Sequence, residues 1–113
     1  MSNIEEFLES KDFVKDTRGN SEVMFFKRSP AEVTHCECNE APPIIRVYVY
    51  KEIVFPNGNV VPVSVEVKTF GEAKGLWFTG HVSMPSEEFM ERDEEVVKAM
   101  IATWEAFALS MKG

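Results

Sequence analysis

Four side chains in this sequence have the chemistry to hold a metal ion: His35, Cys36, Cys38 and His81. Thiolates and imidazoles suit zinc, and a structural zinc site takes four ligands in a tetrahedral array. The chain has two cysteines and two histidines, so all four would have to converge on one point. His35 and Cys36 are neighbours and make awkward partners at a single ion, and no paired C-x-x-C knuckle is present. The expectation is therefore no metal and no cofactor, with the thiols reduced in an ordinary loop. As a redox pair, C-x-C also lacks an activating helix start nearby.

A second set of groups could do acid–base chemistry. His81, Tyr50 and Glu66 would share a sheet face if their segments are strands. No nucleophile motif, phosphate loop or oxyanion signature accompanies them, and nothing fixes a distance between Cys36 and His81. The chain is not expected to be an enzyme. A small-molecule or enzymatic pocket using His81 and Glu66 stands as a second alternative.

The elements that position these groups follow from periodicity. Residues 44–55, 60–70 and 76–84 alternate apolar and polar side chains, as strands with one buried face do. The first pair is a hairpin whose register can be argued. Its inward residues are Ile45, Val47, Val49, Ile53 and Phe55 against Val61, Val63, Val65 and Val67. A two-residue Asn57-Gly58 turn would set core residues beside solvent residues. A three-residue loop, Pro56-Asn57-Gly58, pairs Val49 with Val65 and Val47 with Val67, with Gly58 left-handed in a G1 bulge. The same parity test after Phe70 favours a four-residue loop, Gly71–Lys74. That loop sets Val67 beside Phe78 and Val63 beside Val82.

Helical patterning frames the strands. Residues 3–15 read as a short amphipathic helix with Ile4, Phe7, Leu8 and Val14 on one side, ended by Arg18-Gly19-Asn20. Val23–Arg28 reads as a strand. Ser29-Pro30-Ala31-Glu32 fits a capping box for a short helix over about 30–36. From Ser86 to Met111 a long helix carries Val97, Met100, Ile101, Trp104, Phe107, Ala108 and Met111 as its apolar stripe. Asp93 could instead start a second segment and break the helix there. Ala99, Thr103, Ala106 and Ser110 form a small-residue flank, suited to a homodimer contact or to packing on residues 3–15. The whole reads as one α+β domain over residues 1–113: an antiparallel sheet of four or five strands, with an N-terminal helix and a long C-terminal helix packed on one face.

Charge is unevenly placed. Residues 1–16 hold five acids and two bases, residues 17–84 seven of each, and residues 85–113 seven acids and three bases. The net charge of −7 thus sits on the two helical ends, and the strand-rich middle is neutral. That balance disfavours direct nucleic-acid binding. No membrane span and no secretory signal are read, and two cysteines are too few for a disulfide scaffold, so the expected compartment is the cytoplasm.

Two surfaces could meet a protein partner. The outward sheet face, with the registers above, presents the rows Tyr50, Ser64 and His81; Tyr48, Glu66 and Thr79; and Arg46, Lys68 and Trp77. Aromatics and arginine dominate interface hot spots. The plainer reading is a cross-strand lattice that stabilises the sheet without a ligand. The acidic run Glu87–Glu95 is explained by the helix dipole. Alternatively, Glu87, Glu91 and Glu95 could imitate nucleic-acid phosphates in the basic groove of a nucleic-acid-binding protein or nuclease, as a phage anti-defence protein would. The favoured reading is a small acidic protein-binding module acting as regulator, inhibitor or chaperone-like adaptor, with the phosphate-mimicking inhibitor as its alternative.

Overall fold

The computed structural model describes residues 3–16, 23–28 and 43–110. The stop signal at Arg18-Gly19-Asn20, the helix over about 30–36, the His35-Cys36-Glu37-Cys38 cluster and Met111 lie outside them. Helix α1 (Asn3–Ser10) leads into strands β1 (Val14–Asp16), β2 (Val23–Arg28) and β3 (Ile44–Tyr50). Two short strands follow, β4 (Ile53–Val54) and β5 (Val60–Val61), then β6 (Ser64–Ala73), β7 (Leu76–Pro85) and helix α2 (Ser86–Ser110). The fold is α+β: an antiparallel five-stranded sheet in the order β1-β2-β3-β6-β7, plus a separate β4-β5 ribbon.

One sheet face carries the core. Phe25 pairs with Val47, Val47 with Val67, and Val49 with Val65, so these side chains share a face, and all are buried. Ile4 and Leu8 of α1, with Phe89, Met100 and Ile101 of α2, close over them. Phe7 meets Phe89 edge to face at 6.2 Å. A second cluster gathers Trp104, Ala108, Ala73, Phe78 and Phe107, with the last two rings stacked at 5.1 Å.

Helix α1 is shorter than its periodicity predicts, ending at Ser10 rather than near residue 15. Asp12 turns left-handed (φ 68°), Phe13 N–H donates to the Leu8 carbonyl, and Asp12 N–H donates to that of Glu9. This is a Schellman cap, and its usual apolar contact is met by the buried pair Leu8 and Phe13. The reversal leaves Val14 exposed on β1, against the expectation that it joins the helix face.

The first hairpin has the expected register, including Val49↔Val65 and Val47↔Val67. At its tip Gly58 N–H donates to the Phe55 carbonyl, Phe55 N–H donates to that of Asn59, and Gly58 is left-handed (φ 90°). This is the three-residue loop. The expected continuous strands are split, however. Continuing the register sets Glu52 opposite Pro62, which has no N–H to give, and the ladder breaks there. Beyond the break Ile53, Phe55 and Val61 are exposed instead of inward, because α2 starts beside Val63 (Ser86 N–H to its carbonyl, 3.0 Å) and runs away from the tip.

The second connection differs from the four-residue loop. Strand β6 continues through Gly71 to Ala73, which pairs with Leu76 across a two-residue turn. Lys74 and Gly75 both have positive φ (50° and 82°), the type I′ geometry that suits right-twisted strands. Val67 therefore faces Val82 rather than Phe78. Faces are unchanged, because the two registers have the same parity.

Helix α2 is interrupted at Arg92 (φ −127°, ψ 21°), next to Asp93, where the alternative to a continuous helix puts the break.

Candidate functional site

The face of the sheet away from both helices is built by alternate residues of β3, β6 and β7. Register places Arg46 beside Lys68, Tyr48 beside Glu66 and Tyr50 beside Ser64, as the sequence predicts. The β7 members sit differently: His81 lies beside Lys68, Thr79 beside Phe70, and Trp77 beside Glu72. Neither helix covers this face among the described residues.

Much of that face is engaged with itself. The Arg46 guanidinium lies 4.5 Å from the Phe70 ring centroid, and Lys68 Nζ lies 5.1 Å from that of Tyr48. Lys68 Nζ is also 3.4 Å from Glu66 Oε1, and Tyr50 Oη donates to the same oxygen at 3.4 Å. Arg46, Tyr48, Tyr50, Glu66 and Lys68 are half-buried in this lattice. Tyr50 and Glu66 do meet, but His81 is exposed one row away, opposite Lys68. Trp77 stands apart, with 75% of its surface open.

A larger apolar surface is one that strand patterning missed. The β4–β5 ribbon projects as an arm from a molecule 54 Å long and 28 Å across. Ile53, Val54, Phe55, Val60 and Val61 are all exposed on it, Val54 at 64%. Both faces of the arm are apolar. A signal was present: Ile53-Val54-Phe55 and Val60-Val61 abandon the alternation that a strand with one wet face requires.

The acidic run is only partly available. Glu87, Glu91 and Glu95 are exposed, but the kink at Arg92 falls between the second and third. Arg92 Nε lies 3.7 Å from Glu95 and Nη1 3.9 Å from Glu88, while Lys11 Nζ reaches Asp93 and Glu94 at 3.8 and 3.9 Å. The row is therefore broken in direction and partly neutralised.

A cleft between α1, β2 and α2 is lined by Lys11, Asp12, Lys27, Asp93, Glu94 and Val97, among others. Lys27 Nζ donates to the Lys11 carbonyl at 3.2 Å and lies 4.4 Å from the Phe13 ring centroid. Burial lowers the Lys27 pKa below 10.5, opposed by the attraction of Asp12 and Asp93, with Lys11 adding to the lowering. Nothing in the alternation of β2 singles this lysine out.

Among the described residues no group of three or more His, Cys, Asp or Glu is arranged to hold a metal ion. His81 is on β7, while His35, Cys36 and Cys38, the other three residues with metal-ligating chemistry, lie outside those residues. No helix among them is long and apolar enough to cross a membrane. No family model, no curated protein and no solved structure matches this chain.

Proposed function

We propose that this is a protein-binding module, a regulator, inhibitor or adaptor of the cytoplasm, that grips its partner through the β4–β5 arm and the neighbouring outward sheet face. The exposed apolar arm carries the reading. Five large apolar side chains on a two-stranded ribbon lose free energy to water unless something covers them, and contiguous patches of this kind commonly mark interaction sites. Trp77, at the β6–β7 turn end of that face and so farthest from the arm, adds an aromatic anchor of the type that dominates hot spots. The self-paired lattice of Arg46, Tyr48, Tyr50, Glu66 and Lys68 supplies a rigid, mixed-charge rim. Catalysis is the weaker reading, because Glu66 is already engaged by Lys68 and Tyr50 while His81 stands opposite Lys68. The phosphate-mimicking alternative is weakened by the broken row at Arg92.

The test is affinity capture with the full chain, comparing the wild type with Val54→Asp/Val60→Asp and with Trp77→Ala. A protein retained by the wild type and lost from the arm variant, with circular dichroism unchanged, supports the arm as the docking element. Equal retention by both variants removes it.

A further inference from the structure

We infer that β7 is a pairing edge for a second copy of this chain, the two β7 strands joining antiparallel about a two-fold axis into one continuous sheet. The sheet has two edges, and they are built differently. β1 is three residues long and carries Lys15 and Asp16, the short, charged design that blunts an edge. β7 is ten residues long, pairs with β6 without a bulge, and has no Lys, Arg, Asp or Glu. Its sole proline is the last residue. Among the described residues no strand lies on its open side. For a chain of net charge −7, this uncharged edge is where two copies can approach without setting like charges opposite each other.

Geometry fits a second copy on both layers. A two-fold axis normal to the sheet keeps each face on its own side only if paired residue numbers have an even sum. Gly80 opposite its copy satisfies this, pairing Leu76 with Met84, Trp77 with Ser83 and Thr79 with His81, and leaving Pro85 outside the ladder. The next register, centred on His81, brings Pro85 in and opposes two imidazoles. In the Gly80 register the exposed Leu76 and Trp77 both gain cross-strand neighbours.

Helix α2 packs over β6 and β7 alike, so its axis follows the midline between them. The midlines of two joined copies lie two strand spacings apart, about 9.6 Å. Packed helices sit about 8–10 Å apart. The helix runs antiparallel to β7: Met84 lies beside Val96 and Ala99, Met100 above Gly80, and Phe107 on Phe78. The two helices therefore meet antiparallel near Met100, through the flank containing Ala99 and Thr103. Thr103 Oγ1 donates to the Ala99 carbonyl at 2.8 Å, so that flank brings no unmet donor to the contact. Helix α1 does not compete, since Lys11 pairs with Asp93 and Glu94 on the opposite flank. A contact nine residues long and two layers deep covers about 600 Å² on each copy, enough to clear the ~1,000 Å² total of a biological interface.

The test is sedimentation of the full chain over a range of concentrations, with amide exchange of β7 read alongside. The expected result is a dimer whose β7 amides are protected as concentration rises. Thr79→Lys/His81→Lys opposes lysines across the axis and should weaken association by at least about tenfold. Ala99→Glu, on an exposed helix flank, should do the same even if the lysine variant folds poorly. A monomer throughout, or a dimer that both variants leave unchanged with β7 amides still exchanging freely, overturns the inference.

Discussion

The indole of Trp104 lies so close to the Cα of Gly71 that a methyl group there would overlap its Nε1 and Cδ1. Trp104 is fully buried and anchors the second apolar cluster, between Ala73, Phe78 and Phe107. Gly71 is thus a packing residue in the interior of β6, where the sheet must let a helix side chain reach its backbone.

Gly71→Ala should therefore destabilise the fold by about 1–3 kcal/mol through overpacking. Urea denaturation measures it, and a double-mutant cycle identifies the cause. In a Trp104→Leu background the same substitution should cost much less. Additive effects would show that the indole is not what the methyl meets.

Gly58→Ala acts by a different route. The arm tip has open space around Gly58, so only its left-handed backbone resists a side chain. Alanine should cost about 1 kcal/mol or more in the conformation of the arm, valine more than alanine because β-branching crowds a left-handed backbone, and asparagine less. Backbone chemical shifts of residues 53–61 report it. Alanine tolerated with no loss in the arm conformation would mean that the loop does not hold residue 58 left-handed.

Lys27 gives a pH dependence with a definite sign. Burial lowers its folded-state pKa below the 10.5 of the unfolded chain, so between those two values the unfolded state binds more protons. Its unfavourable contribution is present in full below the folded pKa and is relieved as pH rises toward 10.5. The stability of the wild type relative to Lys27→Met should therefore increase through that alkaline window. Urea unfolding of both proteins at stepped pH tests this, and a flat or falling difference would contradict it.

The same residues explain what could be read from the sequence. Parity of the inward valines was enough to select the Pro56-Asn57-Gly58 loop, because the rival two-residue turn would have flipped every side chain. It could not separate a four-residue loop from the Lys74-Gly75 turn, which keeps the faces and only slides the register. Gly71, placed in the four-residue loop by the parity test, is a strand residue that serves Trp104 instead, a contact that depends on how a distant helix docks. The end of α1 was hidden for a related reason. Asp12 takes the left-handed cap position usually held by glycine or asparagine, and the burial of Phe13 against Leu8 secures it. Of the candidate surfaces, the Arg46, Tyr48 and Tyr50 rows on β3 and β6 were legible from alternation. The arm was legible only as broken alternation at Ile53-Val54-Phe55 and Val60-Val61, and its exposure was not, because that depends on where α2 begins.

Partner binding separates the remaining surfaces. If the arm and outward face are the docking surface, Phe55→Ser or Trp77→Ala should each lose about 2 kcal/mol of affinity, with little dependence on salt. The effect should appear mainly as faster dissociation, as it does for lost apolar anchors. If the acidic start of α2 is the surface, Glu87→Lys/Glu91→Lys should matter more, slow association, and fade as ionic strength rises. A target engaged in that second way should also release the protein when nucleic acid is added. Glu95→Lys separates the readings further, since its carboxylate is already held by Arg92 at 3.7 Å and should contribute less than Glu87 or Glu91. Surface plasmon resonance at two salt concentrations distinguishes them: salt-insensitive loss at Phe55 and Trp77 keeps the arm, and salt-sensitive loss confined to Glu87 and Glu91 replaces it with the helix.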